Sequence, residues 1–363
     1  MSQEYISTPG RIEHLDSFRG IGCLGVALTH SLFSFSSMPH SVFLQGLFGY
    51  LPLTFFFLLS GFVLGRSLDK THGLTPLGIV RYYIRRLFRL YPAILPALVF
   101  AAIAARFYVI PHDWSPASDF VKRVIFKAHY GVTTPAEYLN SLLLTTIRLD
   151  PTLWTVKVEF LCAFILPFLI LLVKRLRFLV MPMVLALAIF KVLGVGDPTN
   201  IFQFYLGYLI YKGAPSLANI STRQTQWILF LWLICFVFAL TGDAAMNPVV
   251  ESLLAGGFLA IIVPCNWPRL RSILASKPVL LLGRISYSFY LFHLPILMLT
   301  WSFMEHFYPR FLCSSILLIP SLTIFLISVC ITCPVAYLCE RAVERPLNSL
   351  GHRISLKLAP GRH

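Results

Sequence analysis

The sequence predicts an all-α, polytopic membrane protein with about ten transmembrane helices and both termini in the cytoplasm. Three observations lead there. Of the 363 residues, 57% are hydrophobic and only 12% charged, and the mean hydropathy is +0.76, well above what a soluble domain carries. Apolar runs of about 20 residues, the length that spans a hydrocarbon core, recur along the whole chain. The basic residues, finally, concentrate on alternate connecting segments.

Bounding the apolar runs by Pro, Gly and charge places spans near 17–37, 46–66, 88–110, 153–173, 177–195, 199–212, 226–241, 249–265, 278–301 and 311–338. With the N-terminus inside, twenty-two of the 30 Lys and Arg fall on cytoplasmic segments and six on external ones. Lys157 and Lys191 lie within spans, and the bias sets the orientation. The longest external segment, about 111–152, mixes acids, bases and aromatics. At that length it is more than a turn: it either lies on the membrane or covers the outer mouth of a cavity as a partly helical loop. The domain reading is one membrane domain over 1–345, followed by a short basic cytoplasmic tail, 346–363.

A net charge of +15 would suggest a nucleic-acid partner in a soluble chain. Here the charges sit at the ends of apolar runs, as in "RYYIRRLFRLYP" and "VKRLRF", so they serve topology. The lipid bilayer is the expected partner and nucleic acid is not. The eight cysteines lie in or at the ends of apolar runs, which argues against a disulfide framework. Cys330 and Cys333 have metal or redox spacing but no second Cys/His pair, so no metal site is expected. The first apolar run lacks a small-residue cleavage site and reads as a retained helix rather than a signal peptide.

The informative residues are the polar ones inside these spans. "LDSFRGIGCLGVALTH" carries Arg19 and His30 eleven apart, close to three helical turns, so they share a face with a rise of roughly 16 Å between them. Arg19 falls near the cytoplasmic rim and His30 near mid-membrane, where a neutral imidazole is tolerable and a charged one needs a partner. His30 is either structural glue to a neighbouring helix or part of a site. "LWTVKVEFLCAFILP" puts Glu159 about two turns into the fourth span, where a carboxylate needs a partner or a wet cavity. Lys157, two residues earlier, points to a different face. "LLGRISYSFYLFHLPIL" embeds Tyr287 and His293 in the ninth span. Tyr287 also suits an interfacial belt, whereas His293 is deep enough to line the outer half of a cavity. "RRLFRLYP" sets Arg85, Arg86 and Arg89 at the cytoplasmic start of the third span, either as positive-inside anchors or as a guanidinium clamp for a phosphorylated cytosolic ligand.

Taken together these segments resemble the acyltransferase-3 family of membrane acyltransferases, which modify sugars on envelope polysaccharides, lipopolysaccharides and related glycans. "LDSFRGIGCLGVALTH" is similar to the family's first-helix motif, an arginine and a histidine separated by ten residues, and "FFFLLSGFVLGR" to its second-helix motif. "RRLFRLYPA" resembles its Arg-x-x-Arg motif, "LWTVKVEFLCAFILP" its Leu-Trp-Ser-Leu-x-x-Glu segment, and "ISYSFYLFHLPI" its Ser-Tyr-x-x-Tyr-Leu-x-His segment. Thr155 stands where the family usually has serine, and Lys157 where it generally has an uncharged residue.

The resemblance implies O-acylation, most simply O-acetylation, of a saccharide or glycolipid hydroxyl. Acyl-CoA would be the cytosolic co-substrate, with no bound cofactor or metal, and a bacterial inner membrane is the expected location. In that scheme His30, Glu159 and Arg19 are the catalytic candidates. His30 is the base, with a neutral imidazole suited to deprotonating a sugar hydroxyl. Glu159 would orient the imidazole if the first and fourth spans are neighbours. Arg19 would bind donor phosphates or brace the site through Asp16. Arg85, Arg86 and Arg89 are the donor-binding candidates, and His293, Tyr287, Ser60 and Trp154 those of the acceptor cavity. Direct transfer and an acyl-histidine intermediate both remain open, as does the alternative of a transporter or flippase for a lipid-linked or acylated saccharide.

Overall fold

The computed structural model describes residues 13–36, 49, 51–70, 74–130, 134–175, 186, 189, 200–217, 219–241, 248–264 and 267–358. Among them the chain is helical, and the only β feature is an isolated antiparallel bridge between Phe35 and Ala117. The helices are α1 (Glu13–Leu32), α2 (Leu51–Lys70), α3 (Pro76–Ala105), α4 (Asp119–Tyr130), α5 (Pro135–Leu142), α6 (Leu153–Arg175) and α7 (Ile201–Leu217). They continue with α8 (Thr222–Thr241), α9 (Pro248–Ile262), α10 (Pro268–Leu274), α11 (Lys277–Phe307), α12 (Pro309–Leu312), α13 (Leu318–Cys339) and α14 (Arg345–Lys357). A single π-helical turn, Glu340–Glu344, joins α13 to α14. Five stretches among the described residues are long and apolar enough to cross a membrane: α2, α3, α6, α11 and the run Leu318–Lys357. This is an integral membrane protein. The expected fifth span, 177–195, falls outside the described residues apart from 186 and 189.

Two differences from the sequence reading bear on the site. The third span starts earlier than 88: Thr75 caps α3 by accepting from the Gly78 amide (3.1 Å), and Pro76 opens the helix, where its missing N–H costs nothing. Arg85, Arg86 and Arg89 therefore lie well inside a 30-residue helix rather than at its start. Beyond residue 345 the chain is helical as far as Lys357. Its α14 packs on α3 so closely that a Cβ added at Gly351 would lie 2.3 Å from the Phe88 side chain.

Helices in a bilayer associate through close packing and internal polar bonds, because lipid is as apolar as leucine. On α3, Ala93, Ala97, Ala101 and Ala104 recur every three or four residues and are buried in one core with Leu294, Met298 and Trp301 of α11. The crossing of α1 and α11 is tighter still. A Cβ on Gly20 would meet the Gly283 amide nitrogen at 2.6 Å, and one on Gly283 would meet the Asp16 carbonyl oxygen at 2.5 Å. Only glycine at both positions lets the two backbones touch, and that contact sets Arg19 and His30 beside the Tyr287–His293 stretch. The α2–α7 crossing uses the same device at Gly61 and Gly207. Pro167 inside α6 frees the Ala163 carbonyl, and the Tyr82 hydroxyl of α3 donates to it (2.8 Å).

The segment 111–152 is built and packed. Ser36 N donates to Pro116 O (2.8 Å) and Ser118 N to Ser34 O (2.8 Å), tying the end of α1 to the start of α4. Glu305 of α11, 1% exposed, accepts from Ser115 Oγ (2.9 Å) and His112 N (3.2 Å). Just before α6, Asp150 Oδ1 accepts from both the amide (2.9 Å) and the hydroxyl (2.8 Å) of Thr152, a local turn that aims Trp154 and Thr155. Burial moves the Asp150 carboxyl from an ordinary 3.8 up to about 7, and its Oδ2 is buried without a partner. The folded state thus holds this proton more tightly than the unfolded one. Its stabilising effect is complete below pH 4 and is lost as pH rises to about 7. Asp150→Asn is expected to flatten the thermal midpoint between pH 4 and 7.5 and to raise it at the alkaline end, read by thermal unfolding in detergent. An unchanged pH profile would contradict the buried-acid assignment.

Candidate active site

Three chambers follow one another through the bundle. The first, about 660 Å³, is lined by Thr29, His30, Phe120, Arg123, Trp154 and Tyr290 among others. The second, about 50 Å³, is a throat that shares Leu53 and Tyr290 with the first. The third, about 200 Å³, holds Arg85, Arg86 and Arg89 and shares Arg19, Ser60, Glu159 and Tyr287 with the throat. Helix α1 runs beside all three, so the 16 Å between Arg19 and His30 is roughly the distance from arginine chamber to histidine chamber.

Depth along each helix decides which residues meet. His30 Nδ1 lies 3.0 Å from His293 Nε2, and the rings are within 6° of parallel. His293 Nδ1 lies 2.6 Å from the Tyr290 carbonyl oxygen. On its other side His30 stacks on Phe120 of α4, with centroids 5.4 Å apart, so α4 covers the histidine. Tyr290 forms the boundary between first chamber and throat. It lines the throat together with Thr155, whose Oγ1 donates to the Thr152 carbonyl (2.9 Å). The threonine that departs from the family's serine keeps the hydroxyl this bond needs.

Glu159 sits at the throat's other end. It accepts from Ser60 Oγ (3.0 Å) and is ion-paired with Arg86. The structure therefore joins Glu159 to α2 and α3, and joins His30 to His293 of α11. The orienting role that sequence reasoning assigned to Glu159 has its geometric counterpart in His293. Ser60 and Tyr287, read from the sequence as acceptor-cavity residues, lie instead on the throat and the arginine chamber. Tyr287 donates its hydroxyl to the Leu90 carbonyl (2.9 Å) and lies under the Arg89 guanidinium, 5.8 Å from ring centroid to Cζ. Trp154 does line the histidine chamber, 39% exposed.

The arginines are individually braced. Arg19 pairs with Asp16 at 3.6 Å, as their i, i+3 spacing predicts. Arg89 pairs with buried Glu344 at 3.2 Å, and Glu344 also accepts from Ser288. Arg85 Nε donates to Ser355 Oγ (2.7 Å), a neutral partner on α14. Four arginines against one carboxylate line this chamber, so positive charge is in excess. Sequence reasoning did not pick out Glu344, Ser355, Phe120 or Arg123. Glu344, an acid between Arg341 and Arg345 in a basic stretch, was the one with a visible signal.

Removing one partner of a buried ion pair leaves an uncompensated charge at a cost of roughly 3–5 kcal/mol, whereas replacing both by apolar groups is often close to neutral. Glu159→Ala is therefore expected to lower the thermal midpoint sharply, and Arg86→Met with Glu159→Leu to recover most of the loss. A double variant at least as unstable as the single one would contradict this reading.

Comparison with curated proteins and with solved structures gave no match. A family model described as an acyltransferase domain matches residues 12–341, a span that includes α1 to α13 and every chamber-lining residue except Asn348. With five motifs in order and their polar residues meeting along one path, this integral membrane chain belongs to the acyltransferase-3 family of acyltransferases.

Proposed function

We propose that this protein transfers an acyl group, acetyl in the simplest case, from cytosolic acyl-CoA to a hydroxyl of a saccharide or glycolipid on the opposite face of the membrane. One observation carries the reading: an arginine-rich chamber is joined through a throat to a chamber holding a histidine. Guanidinium groups match phosphate oxygens, and Arg85, bonded to a neutral hydroxyl, keeps its full charge for such a ligand. The throat is narrow and suits an extended arm rather than a bulky headgroup. The histidine chamber mixes aromatic faces, Phe120 and Trp154, with polar groups from Thr29, Thr152, Asp119 and Arg123, a lining suited to a polyhydroxylated acceptor. The basic bias of alternate loops supports a cytoplasmic arginine chamber, and the family's glycan substrates favour a bacterial inner membrane.

In this mechanism His30 takes the proton from the acceptor hydroxyl as its oxygen attacks the thioester carbonyl. A carbon–oxygen bond forms, the carbon–sulfur bond breaks, and the CoA thiolate leaves with the proton held by His30. If the acyl group is first carried on His30, the same residue is the nucleophile and the acceptor alcohol displaces it. Arg86 and Glu159 hold the throat open and electrically neutral, and Arg19 supplies positive charge where it meets the donor chamber.

The test is to purify the protein and His30→Ala in detergent, add radiolabelled acetyl-CoA, and follow CoA release together with label on the protein. Wild type is expected to release CoA or become labelled, and His30→Ala to fall by about 10²-fold or more while remaining folded. Near-normal turnover in the variant would remove His30 from the chemistry. Silence from both proteins, with longer acyl-CoAs and crude glycolipid supplied, would overturn the donor assignment in favour of a transporter.

A further inference from the structure

We infer that His293 is a positioning residue that locks His30 in a single tautomer, protonated at Nδ1, so that Nε2 is the atom that acts on the acceptor. The chemical role of Nε2 rests on the acyl-transfer reading above; the tautomer does not.

The chain of hydrogen bonds begins at a backbone carbonyl. Tyr290 O can only accept, so His293 Nδ1, 2.6 Å away, must carry a hydrogen. A neutral imidazole has one N–H, and His293 Nε2 is therefore a bare acceptor. It faces His30 Nδ1 at 3.0 Å, a contact that is attractive only if Nδ1 carries the hydrogen of His30. The remaining nitrogen of His30, Nε2, is then unprotonated. The reverse assignment fails at each step. A hydrogen on His293 Nε2 would set a lone pair against a carbonyl oxygen at 2.6 Å, and a hydrogen on His30 Nε2 would set two lone pairs against each other at 3.0 Å.

Ring geometry agrees. With centroids 5.2 Å apart, planes 6° apart and nitrogens at 3.0 Å, the rings lie side by side in nearly one plane, as an in-plane N–H···N bond requires. Among the described residues neither ring has a carboxylate as a hydrogen-bond partner, so no directly bonded counter-charge favours an imidazolium at this depth. His293 is 2% exposed and packs parallel to Phe289, whereas His30 lines the large chamber. One histidine is thus sealed in as support and the other is presented. Two residues on, Pro295 offers no N–H to Leu291, so the helical ladder is already interrupted where His293 turns back on its own backbone. The arrangement parallels the carboxylate of a hydrolase triad in function, fixing which nitrogen is the base, but does so without a charge inside the membrane.

The tautomer is measured directly by nitrogen NMR on protein labelled with ¹⁵N-histidine, assigning His30 by its loss in His30→Gln. Wild type is expected to show His30 with a protonated Nδ1 and a bare Nε2. His293→Gln, whose side-chain oxygen can stand in for Nε2 as acceptor, should keep that state. His293→Leu should lose it. With acetyl-CoA as substrate, His293→Leu should lower kcat by about 10²-fold with KM unchanged, and His293→Gln should recover most of the rate. His30 carrying its hydrogen on Nε2 in wild type would overturn the inference whatever His293→Leu does to folding. So would a His30 state indifferent to His293→Leu. The predicted tautomer in a protein that releases no CoA would leave this inference standing and remove the acyl-transfer reading instead.

Discussion

A guanidinium and a carboxylate inside a hydrocarbon slab must find each other or a wet cavity, and the Arg86–Glu159 pair does both. It ties α3 to α6, and through Ser60 to α2, at the point where the throat opens into the arginine chamber. A path for a charged ligand through a membrane protein needs polar walls that do not attract one another shut. Here the walls are neutralised locally: Arg86 by Glu159, Arg89 by Glu344, Arg19 by Asp16. What remains in excess belongs to Arg85, where the nearest partner is a serine of α14. The C-terminal helix is thereby part of the chamber's wall, with Asn348 among the lining residues.

At the opposite end the problem is solved without charge. His30 needs a fixed orientation, a bare nitrogen and a cover. It gains the first two from His293 and the third from Phe120. Close backbone contact at Gly20 and Gly283 makes this possible, since larger residues would separate α1 from α11 and carry the two imidazoles out of bonding range. The two ends communicate through Tyr290, which lines both the throat and the histidine chamber.

Much of this was legible in the sequence because depth in a membrane is a matter of counting. Arg19 and His30 three turns apart, Glu159 two turns into a span and His293 in mid-helix follow from 1.5 Å per residue. The pairing was not legible. A helical pattern gives height and face but not which helix stands opposite, so a Glu159–His30 contact hangs on the first and fourth spans being neighbours; in the structure Glu159 pairs with Arg86, 73 positions away, and His30 with a residue 263 positions away. The early start of α3 is hidden in the sequence because Arg81, Arg85, Arg86 and Arg89 read as the boundary of a span, although Arg85, Arg86 and Arg89 reach into a chamber inside the bundle. The tail beyond 345 read as solvated because its charges hide the contacts of Gly351 and Ser355 with α3.

On the acyl-transfer reading, one path connects the two chambers and passes only the acyl group to the far side. Its most direct test is sided. In sealed proteoliposomes, with radiolabelled acetyl-CoA supplied outside and no acceptor but water, molecules oriented with the arginine chamber outward should leave the CoA thiol outside and deliver labelled acetate to the lumen. Thiol and label recovered on the same side would contradict a path through the protein.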